Sequence, residues 1–170
     1  AILRRFGVMY QLGALFGNMT LLENIRLPLE EYTSLPDDAM DLLAETKLRL
    51  VNLGGAGHLT PSEISGGMMK RAAIARAMAL DPDIVFLDEP MSGLDPIGRR
   101  EIREVILVLR AAGKTVFMNT HILSDVEMIC DRVAIIVKGA IQQQGPIADL
   151  VGEATRAAQI VVAGLSADAA

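Results

Sequence analysis

The sequence predicts an α/β domain whose parallel sheet is joined by crossover helices. Three observations carry that expectation. Apolar runs at 84–87 and 115–119 flank a helical pattern over 96–112, giving strand, helix, strand. Each run ends on polar residues, Asp88 and Glu89 after the first, Thr120 and His121 after the second. The first run lacks apolar–polar alternation, so it reads as a strand buried on both faces.

The elements follow in order along the chain. "FGVMYQ" reads as a short strand ending on Gln11, and "GALFGN" as a loop. Thr20 and Glu23 have capping-box spacing, so a helix starts there, and Pro28 limits it. A second helix runs from near Pro36, a proline suited to a first turn, to Leu53. Leu42, Leu43, Leu50 and Leu53 give it an apolar face, and Gly54 and Gly55 stop it. "GHLTPSEISGG" is a loop, and "MMKRAAIARAMAL" an alanine-rich helix ended by Asp81 and Pro82.

Beyond the strand at 84–87, the helix over 96–112 ends at Gly113, and "KTVFMN" is another buried strand. "ILSDVEMICD" forms a short helix. "RVAIIVKG" and "AIQQQG" pair across a turn at Lys138 and Gly139. "PIADLVG" is a final short helix and "AQIVVAGL" one more strand. One domain therefore spans 1–150. Its mostly helical stretch over 20–60, with the following helix, forms an inserted subdomain of about 20–80. Residues 151–170 begin a C-terminal extension or tail, alanine-rich and frayed from 154.

Bulk composition narrows the class. Of 170 residues, 51% are hydrophobic and 22% charged, which suits a packed globular domain rather than disorder. A net charge of -5 argues against nucleic-acid partners, which favour basic surfaces. A single cysteine, Cys130, excludes an intrachain disulfide and suits a reducing compartment. The apolar runs fall far short of the ~20 residues a bilayer helix needs. The chain opens on "AILRRFGVMYQ", without a signal peptide and almost directly into a strand, as a chain cut from a longer one would.

In parallel sheets ligands bind at the carboxyl ends of strands. Gln11, Asp88, Glu89 and His121 all follow predicted strands, so the topology gathers them at one edge. Each motif has two readings. Ser65, Gly66 and Gly67 either offer an anion the free N–H groups of a helix start, or form an ordinary loop with an N-cap. Asp88 and Glu89 either hold Mg2+ and polarise a water for attack on a phosphoryl group, or cap the following loop. His121 either contacts a terminal phosphate or is structural. Gln11 taken singly is a polar strand end, and Asp95 a cap for the helix beginning at Pro96.

Order and spacing decide between them. Gln11 after a strand, a helical insert, "SEISGGMMKR", "DPDIVFLDEPMSGLDP" and Thr120-His121 follow one another as in the nucleotide-binding subunit of ABC transporters. The resemblance runs from about residue 7 to 150 and is most specific over 63–96. It implies a P-loop NTPase-like sheet with a helical subdomain, and an ATPase using ATP and Mg2+. By that resemblance Gln11 is the Q-loop glutamine, near Mg2+ and the transmembrane partner. Ser65, Gly66 and Gly67 are the nucleotide-binding signature, Asp88 the Walker B metal ligand and Glu89 the catalytic carboxylate. Asp95 is the D-loop aspartate at the nucleotide interface, and His121 the catalytic switch histidine. Met68 stands where the family signature usually has glutamine. The first half, with "YQLGALFGNMTLLENIRLPL", resembles ATPases of MCE-type lipid-trafficking systems, and the second half ATPases of ABC-2 exporters, with a seam near 90–91.

The resemblance also implies partners and a location: a second ATPase subunit in a head-to-tail dimer, transmembrane permease subunits, no nucleic acid, and a peripheral place on the cytoplasmic face of the inner membrane. Gly-x-x-x-x-Gly-Lys-Ser/Thr, the phosphate loop, does not occur in the sequence. In the family it precedes the Q-loop glutamine, so the expected domain lacks that loop and the strands before the one that ends on Gln11. The leading expectation is a transporter ATPase subunit moving lipid or another hydrophobic substrate, inactive as this chain alone. The alternative is a non-catalytic module that associates with an intact ATPase or membrane partner. A translation or DNA-repair ATPase fits less well, given the short insert and acidic charge.

Overall fold

The computed structural model describes residues 2–150 and 160–162. Six strands form one sheet in the order β1-β2-β3-β6-β4-β5. β1 (Phe6–Met9), β2 (Ile84–Asp88) and β3 (Thr115–Thr120) are parallel. β4 (Arg132–Val137) and β5 (Ala140–Pro146) form an antiparallel hairpin, and β6 (Ile160–Val162) pairs antiparallel with both β3 and β4. The parallel arrangement thus holds for the first three strands only. Lys138 and Gly139 both take positive φ, 51° and 79°, which fits the two-residue turn of the hairpin.

The helical insert reaches this sheet through its last helix, which packs against β1. α1 (Leu21–Tyr32) begins at the capping box formed by Thr20 and Glu23. Its Leu21, Ile25 and Leu29 recur every fourth residue and are buried. Pro28 lies inside α1 rather than at its end. The apolar stripe and the fixed N-terminus hold the helix through the one N–H that proline cannot donate.

α2 (Asp37–Leu50) buries Met40, Ala44 and Leu48, whereas Leu42 and Leu43 are exposed. The buried stripe has the small Ala44 at its centre; of the four expected leucines, Leu53 is buried beyond the helix and Leu50 packs partly against the core. The helix stops at Leu50, before Gly54, because Asn52 takes the left-handed conformation at φ 57°. Arg71 closes that end by donating to the carbonyls of Val51 and Asn52 at 3.1 Å each.

α3 (Gly66–Ala77) crosses β1 backbone to backbone. It ends at Ala77, ahead of Asp81 and Pro82. A Cβ on Gly7 would lie 2.2 Å from the Ala77 carbonyl oxygen, so only glycine allows that approach. α4 (Pro96–Ala111) buries Ile102, Val105, Ile106 and Leu109. α5 (Leu123–Ile129) and α6 (Ile147–Leu150) complete the described α-helices. None of these helices is long and apolar enough to cross a membrane.

The sheet's two faces differ. Val85 and Leu87 of β2 are buried, yet Phe86 between them is 38% exposed. Phe6, Phe86 and Phe117 line up across three strands on that second face, with ring centroids 6.0 and 5.2 Å apart. Among the described residues β2 is therefore covered on one face rather than two. An apolar run shows what a strand tolerates on both sides, not what covers it. The expected tail over 151–170 lies outside the described residues, apart from the strand at 160–162.

Candidate functional site

The carboxyl ends of β2 and β3 carry a linked set of polar side chains. Asp88 and Asn119 are register partners on adjacent parallel strands, so their side chains leave the sheet on the same face. Asn119 Nδ2 donates to Asp88 Oδ1 at 2.8 Å.

One residue further, the chain leaves the strand. Glu89 N still donates to the Asn119 carbonyl at 2.9 Å, but its φ is 46°. A left-handed backbone costs a residue with a Cβ about 1–2 kcal/mol, so the surroundings must hold it. They do so from several sides. The Glu89 carbonyl accepts from Lys70 Nζ at 2.6 Å and from Ser92 N at 3.2 Å. Its Oε1 lies 2.8 Å from His121 Nδ1, while Oε2 is buried without a hydrogen-bond partner. Glu89 is 12% exposed and His121 65%. Burial lowers the pKa of the Lys70 ammonium below the ordinary lysine range, and Glu89 and Asp88 oppose that shift by favouring the charge.

The turn at 65–67 is built differently. Ser65 Oγ accepts from Met68 N at 3.2 Å and so caps α3. Ser65 and Gly66 are exposed, and a Cβ on Gly66 would meet nothing within 4 Å. Asp95 is exposed and caps α4 through Oδ1 to Gly98 N at 2.7 Å, so its capping reading is realised. Gln11 is exposed two residues beyond β1, and no hydrogen bond joins it to Asp88, Glu89 or His121. Its loop is pinned instead by Arg76, which donates to the carbonyls of Gly13 at 3.0 Å and Ala14 at 2.7 Å. The structure thus links Asp88, Glu89 and His121 into one network and leaves Gln11, the 65–67 turn and Asp95 outside its hydrogen bonds.

Two members of the network, Asn119 and Lys70, escape a reading of the sequence. Strand parity signals Asn119, which stands two residues before His121 and on the face of Asp88. Nothing local signals Lys70, since a lysine in a helix ordinarily reads as a solvated side chain. A cavity of about 420 Å³ lies elsewhere, bordered by Leu22, Glu45, Leu48 and His58. It is remote in the chain from the strand ends and holds none of these acids. Among the described residues, no group of three or more His, Cys, Asp or Glu side chains forms a metal cage. Mg2+ commonly uses one or two carboxylates with substrate phosphates, and Asp88, its carboxylate oriented by Asn119, fits that smaller demand.

Three parallel strands with paired acids at one carboxyl end, and a Ser-Gly-Gly helix start, define a class of protein. The ABC transporter family model matches residues 1–92, and the chain belongs to that family. It is 40% identical over 143 residues to the intermembrane phospholipid transport system ATP-binding protein MlaF of Haemophilus influenzae, covering 84% of this chain and 54% of that protein. It is 39% identical over 142 residues to the probable ribonucleotide transport ATP-binding protein mkl of Mycobacterium tuberculosis, covering 83% of this chain and 40% of that protein. The chain therefore spans about half or less of these relatives. In three dimensions it resembles the ATP-binding cassette MJ0796, solved as a dimer in a post-hydrolysis state with ADP and Pi. That match has a TM-score of 0.77 and 28% identity, and covers 86% of this chain and 65% of the other.

Proposed function

We propose that these residues form part of the ATPase subunit of an ABC transporter and carry the groups that hydrolyse ATP. The observation that carries this reading is the Glu89 carboxylate. One oxygen is held by His121 and the other is buried with no partner, at the carboxyl end of a parallel strand. A buried carboxylate oxygen left unpaired is costly, and a water donating to it would remove that cost. Glu89 accepts that hydrogen bond and orients the water towards the γ-phosphorus. With Nδ1–H donated to Glu89, a neutral His121 has only an acceptor at Nε2. The imidazolium form donates there to a phosphate oxygen.

Asp88, held by Asn119, and Gln11 are the residues that would hold Mg2+. The ion supplies charge neutralisation to the phosphates. Ser65, Gly66 and Gly67 present a helix start to a phosphate of nucleotide carried by a second, head-to-tail subunit. The dimeric state of the MJ0796 structure supports the presence of a second subunit. Asp95 faces the same interface. Transmembrane permease subunits complete the assembly at the cytoplasmic face of the inner membrane, where this chain is peripheral. The transported molecule is a phospholipid or another hydrophobic compound, on the strength of the MlaF likeness; the mkl name points to ribonucleotides instead.

The 170 residues contain no phosphate loop, so by themselves they bind MgATP weakly. Calorimetry on residues 1–170 should find no micromolar affinity, and a micromolar Kd would overturn that statement. The transport reading is tested in an assembly whose subunits carry these residues with a phosphate loop. Phospholipid should stimulate ATP turnover there and ribonucleotides should not; the reverse would reassign the cargo.

A further inference from the structure

We propose that Lys70 is a positioning residue for Glu89. Its ammonium holds the Glu89 carbonyl and thereby fixes the left-handed turn that presents the carboxylate to His121. The inference rests on the proposed ATPase reading and deepens it.

Lys70 stands in the second turn of α3, yet it is only 9% exposed. A lysine on a helix ordinarily carries its ammonium to water along its flexible stem. This one turns inward and donates to Glu89 O at 2.6 Å, with Asp88 and Glu89 close enough to favour its charge. Burying an ammonium is unfavourable unless it is paired and hydrogen-bonded, so the inward course is specific to these partners.

The partner it reaches has an unusual backbone. Glu89 has φ 46°, a region that side chains with a Cβ occupy only when their surroundings over-determine it. Asn119 fixes its N–H, Ser92 and Lys70 its carbonyl, and His121 its carboxylate. Asn119 and His121 belong to β3 and its end, and Ser92 to the turn itself. Lys70 alone of the four comes from α3, whose N-terminus is the 65–67 turn.

That origin gives the bond a second consequence. Lys70 lies about 1.5 helical turns from Ser65. A rigid-body shift of α3, such as a nucleotide contact at Ser65, Gly66 and Gly67 would produce, moves the ammonium and with it the Glu89 carbonyl. The helix that contacts one nucleotide therefore sets the carboxylate that serves another.

The test has two arms. In the first, hydrogen exchange is measured on residues 1–170 as wild type and Lys70→Met. Methionine keeps the stem and removes the donor. The amides of Glu89 and Ser92 should exchange at least about tenfold faster, while those of α1 stay unchanged; unchanged exchange at both overturns the proposal. In the second, turnover is measured in an assembly whose subunits carry these residues with a phosphate loop. Lys70→Met should lower kcat about tenfold or more with KM held within about twofold, and Lys70→Arg, which keeps a buried cation and donor, should restore most of it. Equal loss in Lys70→Arg and Lys70→Met, or an unchanged kcat in Lys70→Met, overturns the proposal. Glu89→Gln is the control: if it retains turnover, the catalytic reading of Glu89 fails, while the exchange arm still decides whether Lys70 holds the turn.

Discussion

The strand end at 88–89 and the turn at 65–67 belong to the same proposed chemistry but are built in opposite ways. The strand end is closed. Glu89 is contacted at its N–H, carbonyl and carboxylate by residues from β3 and its end, α3 and its own turn. The 65–67 turn is open, with one capping bond inside it and empty space beside Gly66. A group that polarises a water must be held before substrate arrives, because its reach is one hydrogen bond. A surface that closes on a ligand held elsewhere must stay exposed until then. The first half is preorganised within the chain; on the proposed reading the second closes on nucleotide held by another subunit.

Substitutions should separate the two halves. The largest effect is expected at the strand end, where Glu89→Gln keeps the shape and removes the base. In an assembly with a phosphate loop, kcat should fall about 10²–10⁴-fold. Steady-state kinetics checks this, and a fall below tenfold would break the assignment. Next comes the footing of that strand. Leu87→Ala, under the covered face at 1% exposure, should cost about 2–5 kcal/mol. Phe86→Ala, one residue away on the open face, should cost about half as much or less, and urea unfolding compares the two directly.

The open turn should respond in function before stability. Gly66→Val adds a side chain into empty space, so unfolding should shift by about 0.5 kcal/mol or less. Nucleotide-driven subunit association should nevertheless weaken about tenfold, near 1.4 kcal/mol, as read by analytical ultracentrifugation. Ser65→Ala removes the cap and should cost about 1 kcal/mol in the same unfolding assay.

The smallest effect is one of pH, next to that turn. The Thr60 backbone N–H, and then its hydroxyl, lower the Glu63 carboxyl below its usual 4.5. A depressed folded value means the contribution is present above the unfolded value and lost as pH falls through the folded one. Acidification from pH 5 towards pH 3 should therefore loosen the 60–63 turn by NMR, and Glu63→Gln should remove the dependence.

What the sequence makes legible here is local. The capping box at Thr20 and Glu23, the caps at Ser65 and Asp95, and the Lys138-Gly139 turn depend on residues within a few positions of one another. The strand-end acids are legible because an apolar run stopping on Asp88 and Glu89 needs no tertiary information. The bonds from Lys70 to Glu89 and from Arg71 to the end of α2 join residues 19 and 20 positions apart, and no spacing rule reaches that far. The exposure of Phe86 is likewise a property of what packs above the sheet. Pro28 shows the converse, a local rule overridden by the packing of Leu21, Ile25 and Leu29.

On the proposed reading, the strand end and the 65–67 turn of one chain serve different nucleotides. Heterodimers with a phosphate loop in both subunits test it most directly. One pairing places Glu89→Gln and Gly66→Val together on one subunit beside a wild-type partner; the other places one substitution on each. If the turn works on the partner's nucleotide, the first pairing damages both sites and loses turnover, whereas the second leaves one intact site and keeps about half. Half activity in the first pairing and none in the second would mean that the turn serves its own subunit's nucleotide.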